Sequence, residues 1–435
     1  MRISVIGCGY LGAVHAASMA KLGHEVVAVD VDPVKIERLA AGEAPFFEPG
    51  LPETLAEALA SGRIRFTTDM AEVAGSTVHF LAVGTPQGPT GAADMRYVDA
   101  AVASLTPYLT DGAFVVGKST VPVGTAARLA AEVGAAVPGA TLVWNPEFLR
   151  EGFAVQDTVS PDRFVYGVPD GDAGQRAVAA LDEVYAQALA AGTPRLVVDL
   201  ATAELVKISA NAFLATKISF INAMAEIAEV AGADVTALAD AIGYDVRIGR
   251  KFLNAGLGFG GGCLPKDIRA FQARADELGV GRSLGFLAEV DAINLRRRAH
   301  VATLAGELLG GSVAGRRVAV LGLAFKPNSD DVRDSPALDI AARLVELGAT
   351  VLAYDPAANH TAARVRPEVA TVDSAAEALR DADLVLVLTE WAEFRELDPR
   401  VVADLVAAPV VLDGRNCLDR DAWTAAGFTV RGMGR

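Results

Sequence analysis

The segment GLGFGGGCLPKD, Gly256 to Asp267, sets one of the chain's three cysteines in an open, glycine-rich stretch with a lysine and a carboxylate close behind it. Glycines at 258, 260, 261 and 262 let backbone amides approach a ligand, and Lys266 supplies positive charge that favours thiolate over thiol at Cys263. Asp267 can accept a proton or orient a neighbour. Lys207 and Asn211 stand four residues apart in a helical stretch, hence on one face, where a lysine and an amide can stabilise an oxyanion. A solvated helix face is the simpler reading of Lys207 alone, but not of the pair. In NPEFLREG, Glu147 and Glu151 follow a strand at the same spacing, which suits a general base and a binding carboxylate. Thr85 in VGTP and Thr120 in GKSTVPVG end strands, where an open α/β sheet holds its ligands.

A second constellation lies at the start of the chain. GCGYLG, Gly7 to Gly12, follows an apolar strand, and Asp30 ends the next strand. Gly7 makes the tight turn, Gly9 admits a pyrophosphate, and Gly12 lets helix pack on strand, with Tyr10 and Leu11 completing the loop. Asp30 would accept ribose hydroxyls and repel a 2′-phosphate, which favours NAD over NADP. Cys8, inside the loop, reads as a small filler, and Cys417 as a small hydrophobe. NAD beside an activated cysteine suggests a chemistry that neither implies alone. An alcohol is oxidised to an aldehyde, the thiolate adds, the thiohemiacetal is oxidised again, and water cleaves the thioester to a carboxylate.

The elements that must position these groups alternate. RISVIG, a helix from Ala13 to Leu22 and HEVVAVDVD are followed by strands in 76–86, 113–120 and 140–147, which predicts a parallel sheet wound by helices. From Ala201 to Gly232 the chain has neither Gly nor Pro before its last residue, and apolar residues recur at three- and four-residue steps. This predicts one long helix that packs within the chain or across a dimer axis. GRRVAVLGLAFKPNSDD then begins a second strand and loop unit that echoes the first, each with a strand leading into Asp-Pro, at Asp32-Pro33 and Asp355-Pro356. The expected fold is α/β, with two Rossmann-like, doubly wound parallel-sheet domains joined by a central helical domain: 1–200, 201–310 and 311–435.

Composition bounds the partners. With 435 residues, 52% hydrophobic and 21% charged, the chain can form two or three globular cores. Apolar runs stop short of a membrane span, and glycines at 7, 9 and 12 interrupt what could mimic an export signal, so a cytoplasmic location is expected. Three scattered cysteines fit neither a disulfide framework nor a structural zinc site, and no metal is expected. The net charge of −15 argues against nucleic-acid or anionic-membrane partners, so an anionic substrate needs local Lys and Arg.

Nine motifs, among them PFFEPGL, VGTP, KSTVPVGT, NPEFLREG, ELVKISANAFLATKISFINA, GFGGGCLPKD, GLAFKPNSDDVRDSP and TEWAEF, occur in the order seen in the UDP-glucose/GDP-mannose dehydrogenase family, which the chain resembles over essentially its whole length. The resemblance implies NAD-dependent, two-step oxidation of a nucleotide sugar, UDP-glucose to UDP-glucuronate in the leading reading. Cys263 would be the nucleophile, Lys207 and Asn211 would stabilise oxyanions, and Glu147, Thr120 and Asp267 would handle water and protons. Asp30, Lys35, Thr85, Thr120, Glu151, Lys266 and Arg333 would contact NAD. The sugar nucleotide would be held by Glu147, Phe148, Leu149, Arg150 and Glu151, by Phe252, Leu253, Asn254, Ala255 and Gly256, and by Gly260 and Lys326, with Arg247 supplied across a homodimer or higher homo-oligomer. Gly262 stands where many relatives have Ser, which is expected to loosen the loop, and Leu11 and PFFEPGL replace the commoner Val and PIYEPGL. Competing readings are another sugar (GDP-mannose or a UDP-N-acetylhexosamine), a one-step dehydrogenase that needs no cysteine, and a noncatalytic NAD or nucleotide-sugar sensor.

Overall fold

Apolar strand segments, several of them buried on both faces, require helices on each side, and the chain supplies them. The computed structural model describes residues 1–435, in two compact units: 1–210 with 273–279, and 211–272 with 280–435.

The first unit contains strands β1 (Arg2–Ile6), β2 (Glu25–Val29), β3 (Ile64–Thr67), β4 (Val78–Leu81), β5 (Phe114–Gly117), β6 (Thr141–Trp144), β7 (Phe164–Gly167) and β8 (Arg195–Val198), in the sheet order β3-β2-β1-β4-β5-β6-β7-β8. The chain winds outward from β1 in one direction and from β4 in the other. The resulting switch point is where such sheets bind ligands. Strands run parallel as far as β6; β7 pairs with β6 antiparallel, so β7 and β8 form a reversed edge. The predicted strand segments are longer than the ladders because each strand lasts only as long as its neighbour. β4, for example, ends with β1 at the pair Ile6 and Leu81, and Gly84-Thr85-Pro86 then belongs to the loop. The first helix (Tyr10–Lys21) is buried from Gly12 through Ala20, and its small residues let it lie flat in the core beside Leu51, Leu55 and Phe80.

The second unit carries an all-parallel six-stranded sheet in the order β11-β10-β9-β12-β13-β14, built from β9 (Arg317–Leu321), β10 (Thr350–Tyr354), β11 (Ala370–Thr371), β12 (Leu384–Val387), β13 (Val410–Asp413) and β14 (Thr429–Gly432). The echo between the two sheets has a physical basis. Asp355, at the end of β10, accepts the N–H groups of Leu323 and Ala324 at 2.8 and 2.9 Å, pinning the loop that follows β9. Asp30, at the end of β2, does the same for Cys8 at 2.7 Å. The true counterpart of Asp355 is therefore Asp30, two residues before the Asp-Pro pair. The predicted long helix is observed at Leu200–Ala231, beginning in the first unit and continuing into the second. Within the second unit, the Ser219 hydroxyl donates to the Val290 carbonyl at 2.7 Å, pinning it to the helix Phe286–Leu308. No helix is long and apolar enough to cross a membrane.

The first core also holds histidines. His79 on β4 is fully buried, with Nδ1 at 2.7 Å from the Ser4 hydroxyl, and burial pushes it down to about 4. An imidazole held neutral in the folded state and ordinary in the unfolded one destabilises the fold as pH drops from 6.5 towards 4, because the unfolded chain binds the proton first. The stability lost between pH 6.5 and about pH 4.5 should therefore shrink by roughly 2 kcal/mol in His79→Gln, read as urea unfolding at both pH values.

Candidate active site

In the first unit, the dinucleotide turn is built by close approach. Gly7 has φ +94°, and a Cβ on Gly12 would lie 1.8 Å from the Gly7 carbonyl oxygen, so only glycine lets the helix follow the strand so tightly. The helix Tyr10–Lys21 has no side-chain cap at Gly9, and nothing stands within 4 Å of where a Gly9 side chain would be. Open space at an uncapped helix N-terminus fits a pyrophosphate. Asp30 is 9% exposed and accepts the Cys8 and Asp32 N–H groups and the Lys35 ammonium, at 2.7, 3.0 and 2.8 Å. Burial works against its charge, but the Lys35 hydrogen bond and the two N–H groups outweigh it and hold the carboxyl below its ordinary value. These residues suit the adenosine end of NAD. The Thr85 hydroxyl donates to the Thr120 carbonyl at 2.9 Å, tying together the loops after β4 and β5.

Beyond β6, Glu147 is fixed by three donors. Its Oε1 accepts the N–H groups of Phe148 and Leu149 at 2.8 and 3.0 Å, and its Oε2 meets Lys118 Nζ at 2.9 Å. Lys118, 4% exposed, also donates to Asn145 Oδ1 at 3.2 Å. Phe148 lies under two cations: Arg163 at 4.0 Å and Lys207 Nζ at 5.3 Å from the ring centre. Arg150 forms a two-pronged ion pair with Asp157 and lies 5.2 Å from the Phe153 ring centre.

In the second unit, Cys263 is exposed and caps the helix Leu264–Glu277, its carbonyl accepting the Asp267 N–H at 2.9 Å. The first turn of that helix favours negative charge. Burial, reinforced by Asp30 at Cys8 and by Asp413 at Cys417, pushes the other two thiols well up and leaves them inert. Asp267, four residues after the cysteine, is 1% exposed and joins two side chains: Oδ2 accepts the Asn211 amide at 2.6 Å and Oδ1 the Lys266 ammonium at 2.5 Å. Lys266 thus shares its charge with a carboxylate.

The glycines beside Cys263 are closely approached by their neighbours. A Cβ on Gly260 would meet the Asp334 carbonyl oxygen at 2.3 Å. A Cβ on Gly262 would meet the Arg333 guanidinium at 2.4 Å, the end of a largely exposed side chain that packs over this position. Arg333 grips Asp331 in a fork, and its carbonyl accepts the Gly261 N–H at 2.8 Å. In the stretch 252–256, Phe252 takes φ +66°, Leu253 and Ala255 are buried, Asn254 Oδ1 accepts Arg250, and the Gly256 N–H reaches Asn222 Oδ1 at 2.8 Å. Lys326 lies 5.2 Å from the Phe325 ring centre. Arg247 is highly exposed and forks onto Asp245.

Several residues that shape these loops were not legible in the sequence. Asn294 is fully buried and grips Phe259 through both backbone groups, at 2.7 and 3.0 Å. Arg415 donates to the carbonyls of Leu388, Phe325 and Gly258. Lys118 could have been found: it sits in KSTVPVGT, inside the predicted strand segment 113–120 and two positions from Thr120.

The comparisons with known proteins agree with this geometry. Residues 1–189 match the NAD binding domain of the UDP-glucose/GDP-mannose dehydrogenase family, 201–296 its central domain, and 319–420 its UDP binding domain. The chain is 42% identical to the UDP-glucose 6-dehydrogenase TuaD of Bacillus subtilis, covering all of this chain and 93% of that one. It is also 42% identical to the UDP-glucose 6-dehydrogenase of Rhizobium meliloti, covering 100% of both. The solved UDP-glucose dehydrogenase of Pyrobaculum islandicum superposes with a TM-score of 0.88 at 40% identity, over 100% of this chain and 97% of that one. A glycine turn shaped for NAD, a nucleotide-sugar domain and full-length similarity to named dehydrogenases lead to one conclusion: the chain belongs to the UDP-glucose/GDP-mannose dehydrogenase family, and is an oxidoreductase with NAD as its cofactor.

Proposed function

We propose that this chain oxidises the C6 alcohol of UDP-glucose to the carboxylate of UDP-glucuronate, with Cys263 as covalent nucleophile. The observation that carries the reading is the contrast among the thiols: Cys263 is exposed at a helix start, while Cys8 is buried and Cys417 partly buried, both with their protons held more tightly than usual. NAD supplies hydride acceptance, twice for each sugar. The protein's groups do the rest. The Cys263 sulfur bonds to the aldehyde carbon, and the alkoxide so formed is stabilised by the Lys207 ammonium and the Asn211 amide. After the second oxidation, water attacks the thioester and the cysteine leaves as thiolate. Asn211 is already oriented by Asp267. Glu147, gripped by three donors, is an acceptor suited to aligning a water together with Thr120, and is not free to swing. In net terms, alcohol, two NAD and one water give carboxylate, two NADH and three protons.

UDP-glucose is preferred over the other nucleotide sugars because relatives at 42% identity bear that substrate's name, while the solved UDP-D-ManNAc dehydrogenase of Pyrococcus horikoshii is less similar, at 26%. We further propose that the chain works as a dimer through the long helix in a cytoplasmic setting. Phe213, Phe220 and Ile227 recur at seven-residue steps and remain 66%, 47% and 60% exposed, an apolar stripe that suits a second copy.

With limiting UDP-glucose the enzyme should form two NADH per sugar; one per sugar would defeat the covalent route. Cys263→Ser should lose net turnover by more than about a thousandfold while binding NAD as before, in steady-state assays and NAD titrations. A sensor would show no turnover in either form. Phe220→Asp should shift the mass measured by light scattering towards the monomer.

A further inference from the structure

PFFEPGL takes no part in the chemistry above, yet its carboxylate is 3% exposed and has no cation among its hydrogen-bond partners. Glu48 Oε2 accepts the Tyr10 hydroxyl and the Gly152 N–H (2.6 Å), and Oε1 accepts the Ala154 N–H (2.7 Å). The Gly152 N–H is shared with the Tyr10 oxygen at 3.1 Å. The Tyr10 ring also packs on Phe46 of the same segment, centres 4.6 Å apart. Three stretches far apart in sequence meet in this knot.

Its position gives it a consequence. Tyr10 is the first residue of the uncapped helix whose N-terminus would receive the cofactor phosphates, and Gly152 directly follows Glu151. Burial, then the bond to Glu48 and the charges of Glu48 and Glu151, hold the Tyr10 proton far more tightly than usual, so the hydroxyl stays a donor. A loop released from this knot would have to be ordered again each time NAD binds, at the expense of affinity. We propose that Glu48 is a positioning residue for the cofactor: through the Tyr10 hydroxyl and the Gly152 N–H it fixes the Glu151 loop against the dinucleotide turn, so that NAD meets a preformed site. The inference rests on the family's NAD site and is independent of the cysteine chemistry.

The test uses the full chain. NAD is titrated by intrinsic fluorescence without sugar, which requires no turnover, and KM for NAD and kcat are measured with UDP-glucose. In Glu48→Gln one acceptor oxygen becomes an amide donor facing backbone N–H groups. Its Kd and KM for NAD should rise about tenfold with kcat within about twofold of wild type. Tyr10→Phe should move both constants the same way by a smaller factor, and the double variant should bind NAD no more than about twofold more weakly than Glu48→Gln alone, since both act through one knot. A merely structural role predicts fewer active molecules, hence lower kcat at unchanged KM. That pattern, unchanged NAD affinity, or losses that multiply in the double variant would each overturn the proposal. Should Glu48→Gln fail to fold, Tyr10→Phe decides alone, because it leaves both backbone bonds to Glu48 in place; wild-type affinity for NAD would then overturn it.

Discussion

Carboxylates that accept backbone N–H groups from loops are the interaction on which this structure depends. Strand ends in an open α/β sheet leave loops whose amides have no ladder partner, and a buried amide without an acceptor is costly. Here the acceptors are acids, three of them brought from elsewhere in the chain, Asp30 for Cys8, Glu204 for Gly124 and Ala126, and Asp355 for Leu323 and Ala324, and one local, Glu147 for the two residues that follow it. The chain's large negative charge is therefore in part structural. Some of its acids are inside, each surrounded by donors, and the loops they hold are those that a ligand would meet.

This explains what sequence reading could and could not recover. The glycine turn, the long helix and the cysteine segment are local patterns, because backbone approach, helical period and residue order fit within one window, and they were legible. β3, β7, β8, β11 and β14 were not assigned. β11 has only two residues, and β8 lies at an edge where Leu196 and Val197 are half exposed, so neither carries an alternating or fully buried signature. The reversal of β7 depends on pairing across the sheet and leaves no mark in the strand itself. The partners of the site residues were the hardest to see. Lys118 beside Glu147, Asp267 beside Asn211 and Asn294 beside Phe259 join positions far apart in the chain, and a single sequence contains no term for their proximity.

The chemistry follows from unequal treatment of like groups. Burial and neighbouring carboxylates raise two thiols, and the third stands at a helix start with solvent access. Among the carboxylates, Glu48 bonds only to neutral donors, Asp30 and Glu147 combine a lysine with N–H groups, and Asp267 combines a lysine with an amide side chain. A family of enzymes built on one fold can vary its substrate while keeping this division of labour.

The reversed edge of the first sheet acts as a starting block. Because β8 runs opposite to β6, the chain leaves the sheet at the end away from the ligand loops; the helix starting at Leu200 packs past Gly167 through Ala203 and climbs the sheet's depth before Lys207 arrives over Phe148. Eight residues of helix rise about 12 Å, close to the roughly 13 Å of a four-residue strand. The lysine's height and bearing are thus measured out by helical arithmetic, and one residue added or removed between Val198 and Lys207 would swing it by about 100° around the axis relative to the sheet.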